Sequence, residues 1–153
     1  MNLMSTAFED GRPIPPQYTG DAADESPYLR WSDVPAGTKS FALICDDPDA
    51  PGGTWVHWVL YGLPGSARLI PEKFPTAESL AGGVKQGVND FGRIGYGGPL
   101  PPPGKPHRYF FKLYALDAEL ALKPRASKPE LLRAMEGHIL AEAQIMGTYK
   151  RAG

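Results

Sequence analysis

The stretch that decides the fold is "SFALICDDPDAPGGTWVHWVLYGLP", residues 40–64. Its first eight residues form an apolar run that ends in two acids, which is typical of a buried strand. The segment "TWVHWVLYG", residues 54–62, is rich in β-branched and aromatic residues and predicts a second strand. Side chains alternate along a strand, and both faces of this one are largely apolar, so it is expected in the interior. The two predicted faces are Trp55, His57, Val59 and Tyr61 on one side, and Val56, Trp58 and Leu60 on the other.

The C-terminal half predicts one more strand and one helix. "HRYFFKLYALD", residues 107–117, has strand composition. "SKPELLRAMEGHILAEAQIMG", residues 127–147, predicts a helix that opens with Ser127 and Glu130 at capping-box spacing and has Pro129 in its first turn. The apolar stripe of this predicted helix comprises Leu132, Met135, Ile139, Ala143 and Met146, and Gly147 is placed to end it.

These elements indicate the fold class. Strands that precede a single late helix favour a mainly β protein, an antiparallel β-sandwich with a C-terminal α-helix packed on it. The chain has the length of one domain, so residues 1–153 are assigned to a single domain. Glycine and proline, with 18 and 17 residues, are too abundant for a helix bundle and suit a loop-rich β protein.

Charge and hydropathy argue against several classes of function. The net charge is −1 and no basic block is present, so nucleic acid is not an expected partner. No apolar run approaches the length of a membrane span, and "MNLMSTAFEDG" at the N-terminus lacks a signal-peptide pattern. We therefore expect a cytoplasmic protein without membrane insertion. The single cysteine, Cys45, lies in an apolar run and is expected to be a buried thiol.

Titratable and rigid residues crowd the loop between the first two strands. Asp46 and Asp47 end one strand, and His57 lies near the start of the next. A carboxylate beside an imidazole fixes its tautomer and favours its charged form, so an Asp47–His57 pair is one interpretation. The alternative is that Asp-Pro-Asp supplies turn chemistry and His57 is a satisfied core histidine. Because the loop reverses within a few residues, we expect a cis bond between Ala50 and Pro51.

A second polar cluster lies in "YGGPLPPPGKPHRYFFKLYALD", residues 96–117. His107 and Tyr109 are two positions apart on a predicted strand and so project to the same face. Glycines such as Gly98 let backbone N–H groups approach a ligand closely, as anion sites require. Histidines, a tyrosine hydroxyl, a carboxylate and exposed amides suit a small ligand that bears phosphate or carboxylate. "YGGP" lacks the lysine and Ser/Thr of a P-loop.

Three further sequence features bear on function. Two histidines and an acid also fit zinc, but no H-x-x-x-H or C-x-x-C spacing supports a metal, so neither metal nor cofactor is expected. "NDFG", residues 89–92, predicts a turn that fixes the loop leading to the second cluster, since no other kinase signature accompanies it. His138, on the predicted helix, is interpreted as structural or adjacent to the pocket.

Several motifs occur in order: "DDPDAP", "HW", "NDFG", "YGGPLPPPGKPHRY" and "GHILAEAQIMGTYKR". Together with "SPYLRWSDVPAGTKSFAL" they resemble the phosphatidylethanolamine-binding protein (PEBP) family over nearly the whole chain, and most closely its bacterial and archaeal, Raf-kinase-inhibitor-like branch. The resemblance implies a β-sandwich with a short C-terminal helical segment, an anion pocket built from the two clusters, and a homodimer. The pocket residues that it implies are Asp47, Pro51, Trp55 and His57 from the first cluster, and Tyr96, Gly98, Pro99, His107 and Tyr109 from the second.

The chain departs from the eukaryotic pattern in two places. Tyr96 takes a position that is often glycine in eukaryotic members. Those members also have a longer stretch between "DAP" and the histidine, where this chain has only "GGTWV". The shorter stretch argues against protein partners of the eukaryotic kind, including kinases.

The sequence leaves three functions open. The favoured one is non-catalytic, regulatory binding of a small anion such as a phosphate ester, a phospholipid head group or a phosphorylated residue. The second is a hydrolase or transferase that uses an Asp47–His57 pair, although no nucleophilic serine or cysteine lies within either cluster. The third is an inhibitor or modulator of a kinase or protease.

Overall fold

The computed structural model describes residues 1–152. Within them, strands dominate and a single α-helix comes late, as predicted. The strands are β1 (Asn2–Met4), β2 (Arg12–Pro13), β3 (Leu29–Ser32), β4 (Ser40–Asp47), β5 (Trp55–Pro64), β6 (Leu69–Ile70), β7 (Lys85–Gln86), β8 (His107–Leu116) and β9 (Ile139–Tyr149). The α-helix, α1, is Lys128–Met135, and short 3-10 helices cover Pro16–Tyr18 and Ala81–Gly83. No helix in this part of the chain has the length and apolar character needed to cross a membrane.

The strands form two sheets, one of three strands in the order β1-β3-β6 and one of six in the order β2-β9-β8-β4-β5-β7. Neighbouring strands are antiparallel, except that β2 pairs in parallel with the end of β9. One apolar cluster lies between the sheets, and a second lies between the larger sheet and α1. The predicted sandwich with a docked helix is confirmed, with one short parallel pair at its edge.

The apolar run of residues 40–47 forms the centre of the molecule. β4 pairs with β5 on one side and with β8 on the other, and all eight of its residues are buried. Both of its faces are covered: Leu43 packs between the sheets, and Ile44 packs beneath α1. Cys45 is also buried, so the prediction of a buried thiol is confirmed.

A β-bulge in β5 changes the faces of that strand. The register with β4 shifts at His57, which becomes the extra residue of the bulge. Val56 consequently joins Val59 and Tyr61 in the cluster beneath α1, while Trp58 packs between the sheets. The predicted strict alternation along this strand is therefore wrong, because an inserted residue breaks the period of two.

The helix is shorter than predicted. Its capping box is present: the Glu130 N–H donates to the Ser127 hydroxyl (3.3 Å), and the Ser127 N–H donates to Glu130 Oε1 (3.1 Å). Gly137 then adopts a left-handed conformation (φ 80°) just beyond α1, and the chain continues as β9. The prediction of a helix to residue 147 is wrong, because pairing along the whole of β8 outweighs a local helical pattern.

Because the helix is shorter, the predicted apolar stripe and the predicted placement of His138 on the helix are also wrong. The residues of α1 that are buried are Leu131 and Met135, whereas Leu132 is 38% exposed. His138 lies in the turn after the helix, where its Nδ1 donates to Asp117 Oδ1 (2.8 Å). This pair is exposed, so the histidine has a local structural role.

Asp46 anchors the helix to the sheet. Its buried carboxylate lies 2.6 Å from Lys128 Nζ and 3.3 Å from Lys112 Nζ. We expect Asp46→Asn to lower the free energy of unfolding by about 1–2 kcal/mol, less than for a fully buried pair because both lysines remain partly exposed. Chemical denaturation measures this change. Glu78→Gln, which removes an exposed pair with Arg125, is the control and should change stability by less than about 0.5 kcal/mol; equal losses would contradict the anchoring role.

Candidate functional site

A cavity of about 190 Å³ lies where the loop after β4, the start of β5 and the start of β8 meet. Its walls include six of the nine predicted site residues: Asp47, Pro51, Trp55, His57, His107 and Tyr109. The strands that carry these residues are neighbours in the larger sheet, with β4 between β5 and β8. The fold therefore brings residues that are up to 62 positions apart to one small space.

Five more residues line the cavity that sequence reasoning did not select: Ala50, Phe91, Leu100, Pro101 and Pro102. All are apolar, and all lie in loops. The only feature that distinguishes them in sequence is the presence of large apolar residues, Phe91 and Leu100, among glycines and prolines. Binding residues often lie on loops that a rigid scaffold positions.

Asp47 and Asp49 hold the loop after β4 in place. Asp47 Oδ1 accepts the Asp49 N–H (2.7 Å), so the turn chemistry predicted for Asp-Pro-Asp is confirmed. Asp49 in turn accepts from Nε and Nη2 of Arg108 (2.9 Å each), which lowers the pKa of Asp49. The Ala50–Pro51 bond is trans, so the predicted cis bond is wrong; the turn and its anchor on β8 reverse the chain without it.

Asp47 pairs with His107. Since a carboxylate only accepts, His107 Nδ1 donates to Asp47 Oδ2 (2.7 Å), and both side chains are buried. The predicted Asp47–His57 pair is therefore wrong. The first residues of β8 lie beside the end of β4, and His107 reaches the carboxylate from there. The pair leaves Nε2 as the free nitrogen of the His107 ring.

His57 uses a different acceptor. Its Nδ1 lies 2.5 Å from the Gly97 carbonyl oxygen, which only accepts, so Nδ1 carries the hydrogen. Burial lowers the pKa of His57 below its ordinary 6.5, and the Gly97 bond and the charge of Asp47 offset this only in part. The ring is therefore neutral near pH 7, with Nε2 unprotonated.

Tyr109 completes the polar side of the cavity. Its ring meets His57 edge to face, with centroids 5.1 Å apart. Its hydroxyl is buried without a hydrogen-bond partner among residues 1–152, and burial raises its pKa, so it stays protonated. An unpaired buried hydroxyl costs about 1–3 kcal/mol, and a ligand acceptor would remove that cost.

The other three predicted residues, Tyr96, Gly98 and Pro99, stand behind the cavity wall. The Tyr96 hydroxyl donates to the Tyr18 carbonyl (2.6 Å), and the Gly98 N–H donates to Asp24 Oδ1 (2.7 Å). The Pro99 carbonyl accepts from the backbone of the same segment, residues 18–24. These residues brace the wall, and the Gly98 amide that was expected to face a ligand is already paired.

The predicted turn at residues 89–92 is confirmed and has a further effect. The Asn89 side chain accepts from the N–H groups of Phe91 (3.0 Å) and Arg93 (3.1 Å) and donates to the Gly95 carbonyl (3.0 Å). This turn directs Phe91 into the cavity wall, where its ring centroid lies 5.5 Å from that of Trp55.

Comparison with known proteins decides the family. The model of the phosphatidylethanolamine-binding protein family matches residues 4–150. The chain belongs to the phosphatidylethanolamine-binding protein (PEBP) family. Among its PEBP relatives, a UPF0098 protein of Aquifex aeolicus is 54% identical, covering 99% of this chain and 89% of that protein. A UPF0098 protein of Methanothermobacter thermautotrophicus is 52% identical, covering 99% of both.

Two solved PEBP structures are similar throughout. The PEBP homolog CT736 of Chlamydia trachomatis is 42% identical with a TM-score of 0.88, and the alignment covers 98% of this chain and 97% of that one. YbcL of E. coli, described as a member of the mammalian PEBP family, is 34% identical with a TM-score of 0.88 and 98% coverage of both chains. The resemblance drawn from the motifs is thus confirmed.

In this PEBP family member the cavity has a polar side and an apolar side. The polar side offers two imidazole rings and one hydroxyl, and neither the Nε2 atoms nor the hydroxyl bond to another group in the described part of the chain. No serine, threonine or cysteine lines the cavity in the part of the chain that is described. The arrangement can therefore form hydrogen bonds with a polar ligand, but it supplies no ordinary nucleophile.

Proposed function

We propose that this PEBP family member binds small anions that bear phosphate or carboxylate in the cavity, and that it acts as a non-catalytic, regulatory binding protein. The ligand class includes phosphate esters, phospholipid head groups and phosphorylated residues. The observation that carries the proposal is the convergence of His57, His107 and Tyr109 on one cavity, each with a polar atom that no residue in the range 1–152 engages. Tyr109 donates as it stands and each imidazole donates from Nε2 once it is protonated, so three donors can then meet the several acceptor oxygens of a phosphate.

The charge of Asp47 does not oppose this proposal. Its two oxygens already accept from His107 and from the Asp49 N–H, so its charge is offset within the loop. The groups that remain are Tyr109, a donor, and the imidazoles, which donate from Nε2 when protonated. A site of this composition favours acceptor-rich ligands over cations.

A hydrolase or transferase has less support. The His57–Asp47 pair on which that alternative depended is not formed, because Asp47 is bonded to His107. The Asp47–His107 pair does resemble a base held by its carboxylate, and it would have to act on water directly. Assaying release of inorganic phosphate from methyl phosphate in the binding samples tests this alternative.

Binding should strengthen as pH falls. In the free protein the lowered pKa keeps His57 Nε2 unprotonated at neutral pH, whereas an anion needs a proton on that atom. Binding therefore takes up a proton, so affinity should rise as pH falls from neutral and level off below the lowered pKa of the free ring. Calorimetry with methyl phosphate from about pH 5 to about pH 8, in buffers of different ionisation enthalpy, measures both affinity and proton uptake.

Methyl sulfate is the ligand control, because the second ionisation of phosphate falls near pH 6 and would confuse the profile. Tyr109→Phe should weaken binding of both ligands by roughly tenfold without changing the shape of the pH profile. Methyl sulfate affinity that stays constant, or rises with pH, would contradict the role of His57.

A further inference from the structure

The mouth of the cavity is unusually apolar for an anion site. Trp55 and Leu100 line it and are 38% and 41% exposed, which places them among the few large apolar side chains open to solvent. Phe91 and Pro101 extend the same surface. Exposed apolar surface that is continuous with a pocket marks a place where a ligand or partner packs.

We propose that the cavity selects anions attached directly to a single aromatic ring, such as aryl phosphates, and that Phe91 determines this preference. The inference rests on the proposed function, since the polar side must hold the anion while the ring lies against the mouth. The occupant is a small molecule, because the cavity has a volume of only about 190 Å³.

The size of the cavity limits the apolar part of the ligand. An apolar cavity of roughly 150 Å³ is enough to hold benzene. At about 190 Å³, this cavity has room for one ring and little more besides the anionic group. The two acyl chains of a phospholipid would have to remain outside it.

The shape of the mouth favours a flat group over an alkyl chain. Phe91 meets Trp55 at an interplanar angle of 73° and His57 at 71°, with centroids 5.5 Å and 5.4 Å apart. A ring that enters beside these side chains can meet them edge to face or in offset stacking, the arrangements that aromatic pairs prefer. An alkyl group makes no such contact, and its binding is favoured only by the burial of its apolar surface.

Phe91 is held in place before any ligand arrives. The turn built by Asn89 fixes its backbone, and the Arg93 guanidinium lies 5.3 Å from the centre of its ring. On another side the ring packs so close to Gly97 that a Cβ there would lie 2.7 Å from Phe91 Cδ2. A ring fixed by three neighbours loses little further freedom on binding, which favours affinity.

The test compares methyl phosphate, hexyl phosphate and phenyl phosphate by calorimetry near pH 6, where methyl phosphate binding is expected to be strong. Wild-type protein should bind phenyl phosphate about tenfold more tightly than methyl phosphate. In Phe91→Ala that ratio should fall to about threefold or less, with an intermediate ratio in Phe91→Leu. Leu69→Ala removes an exposed apolar side chain outside the cavity and should leave the wild-type ratio unchanged.

The outcomes separate this inference from the proposed function. Equal affinity for methyl and phenyl phosphate in wild-type protein would overturn the aryl preference and leave anion binding standing. Hexyl phosphate bound as tightly as phenyl phosphate would also overturn it, by showing that apolar bulk alone is selected. If both Phe91 variants kept the wild-type ratio of phenyl phosphate to methyl phosphate affinity, Phe91 would not be the residue that determines the preference. Failure of all three ligands to bind would instead reject the proposed function.

Discussion

His107→Ala should weaken methyl phosphate binding by about 10- to 100-fold near pH 6. In the proposed site the substitution removes the Nε2 that would bond to the ligand, and a hydrogen bond to a charged group is worth about 1.5–3 kcal/mol. It also leaves the buried Asp47 carboxylate without its partner, where its charge repels an incoming anion. Both effects act in the same direction, so this variant should be the most damaging single change to binding.

Two other histidine variants serve as comparison and control for this experiment. His57→Ala should also weaken binding strongly and should reduce the pH dependence measured with methyl sulfate, because part of the proton uptake on binding is assigned to that ring. His138→Ala is the matched control: its Nδ1 also donates to an aspartate, at 2.8 Å, but the pair is exposed and outside the cavity. It should bind like wild type. If the cavity variants bound normally as well, the ligand site would have to lie elsewhere.

Gly98→Ala should lower the free energy of unfolding by about 3 kcal/mol, at the upper end of the usual cost of overpacking. A Cβ at this position would lie 2.4 Å from the Tyr18 carbonyl oxygen and 2.9 Å from Thr19 Cα, both backbone atoms, and 2.7 Å from Asp24 Oδ1. Segment 18–24 would have to move away, breaking the hydrogen bond between the Gly98 N–H and Asp24. Urea denaturation followed by tryptophan fluorescence measures the loss.

Gly52→Ala is the control for that substitution, because a Cβ there has no neighbour within 4 Å. It should leave stability unchanged or raise it slightly by restricting the unfolded chain. If Gly98→Ala lowered the free energy of unfolding by less than about 1 kcal/mol, residues 18–24 would be able to move aside at little cost. The wall behind the cavity would then not be rigid.

Local sequence patterns predicted much of the framework. β4 begins and ends where its apolar run does, and β8 follows the run that starts at His107. The capping box at Ser127 was predicted because its two hydrogen bonds join residues only three positions apart. Six of the nine pocket residues implied by the family motifs surround one cavity, since each motif lies at the end of a central strand.

Elements that depend on distant partners were not predicted. Residues 139–147 carry a helical apolar pattern, yet they form most of β9 because β8 offers a complete set of backbone partners. The bulge at His57 arises from the match between β4 and β5, and nothing within β5 itself indicates it. The Phe91 side chain enters the cavity wall because the turn at residues 89–92 folds back onto Trp55 and His57 at the start of β5.

The chemical character of the site was determined by sequence alone: two histidines, a tyrosine and a carboxylate at strand ends, stiffened by glycine and proline. Only the tertiary structure decided how these groups are paired and charged. Asp47 accepts a hydrogen bond from His107, 60 positions away in the sequence, and His57 donates to the Gly97 carbonyl instead. The physical reason is that hydrogen-bond partners and burial depend on which strands lie side by side. Burial in turn lowers the pKa of His57, which the neighbouring carboxylate had been expected to raise.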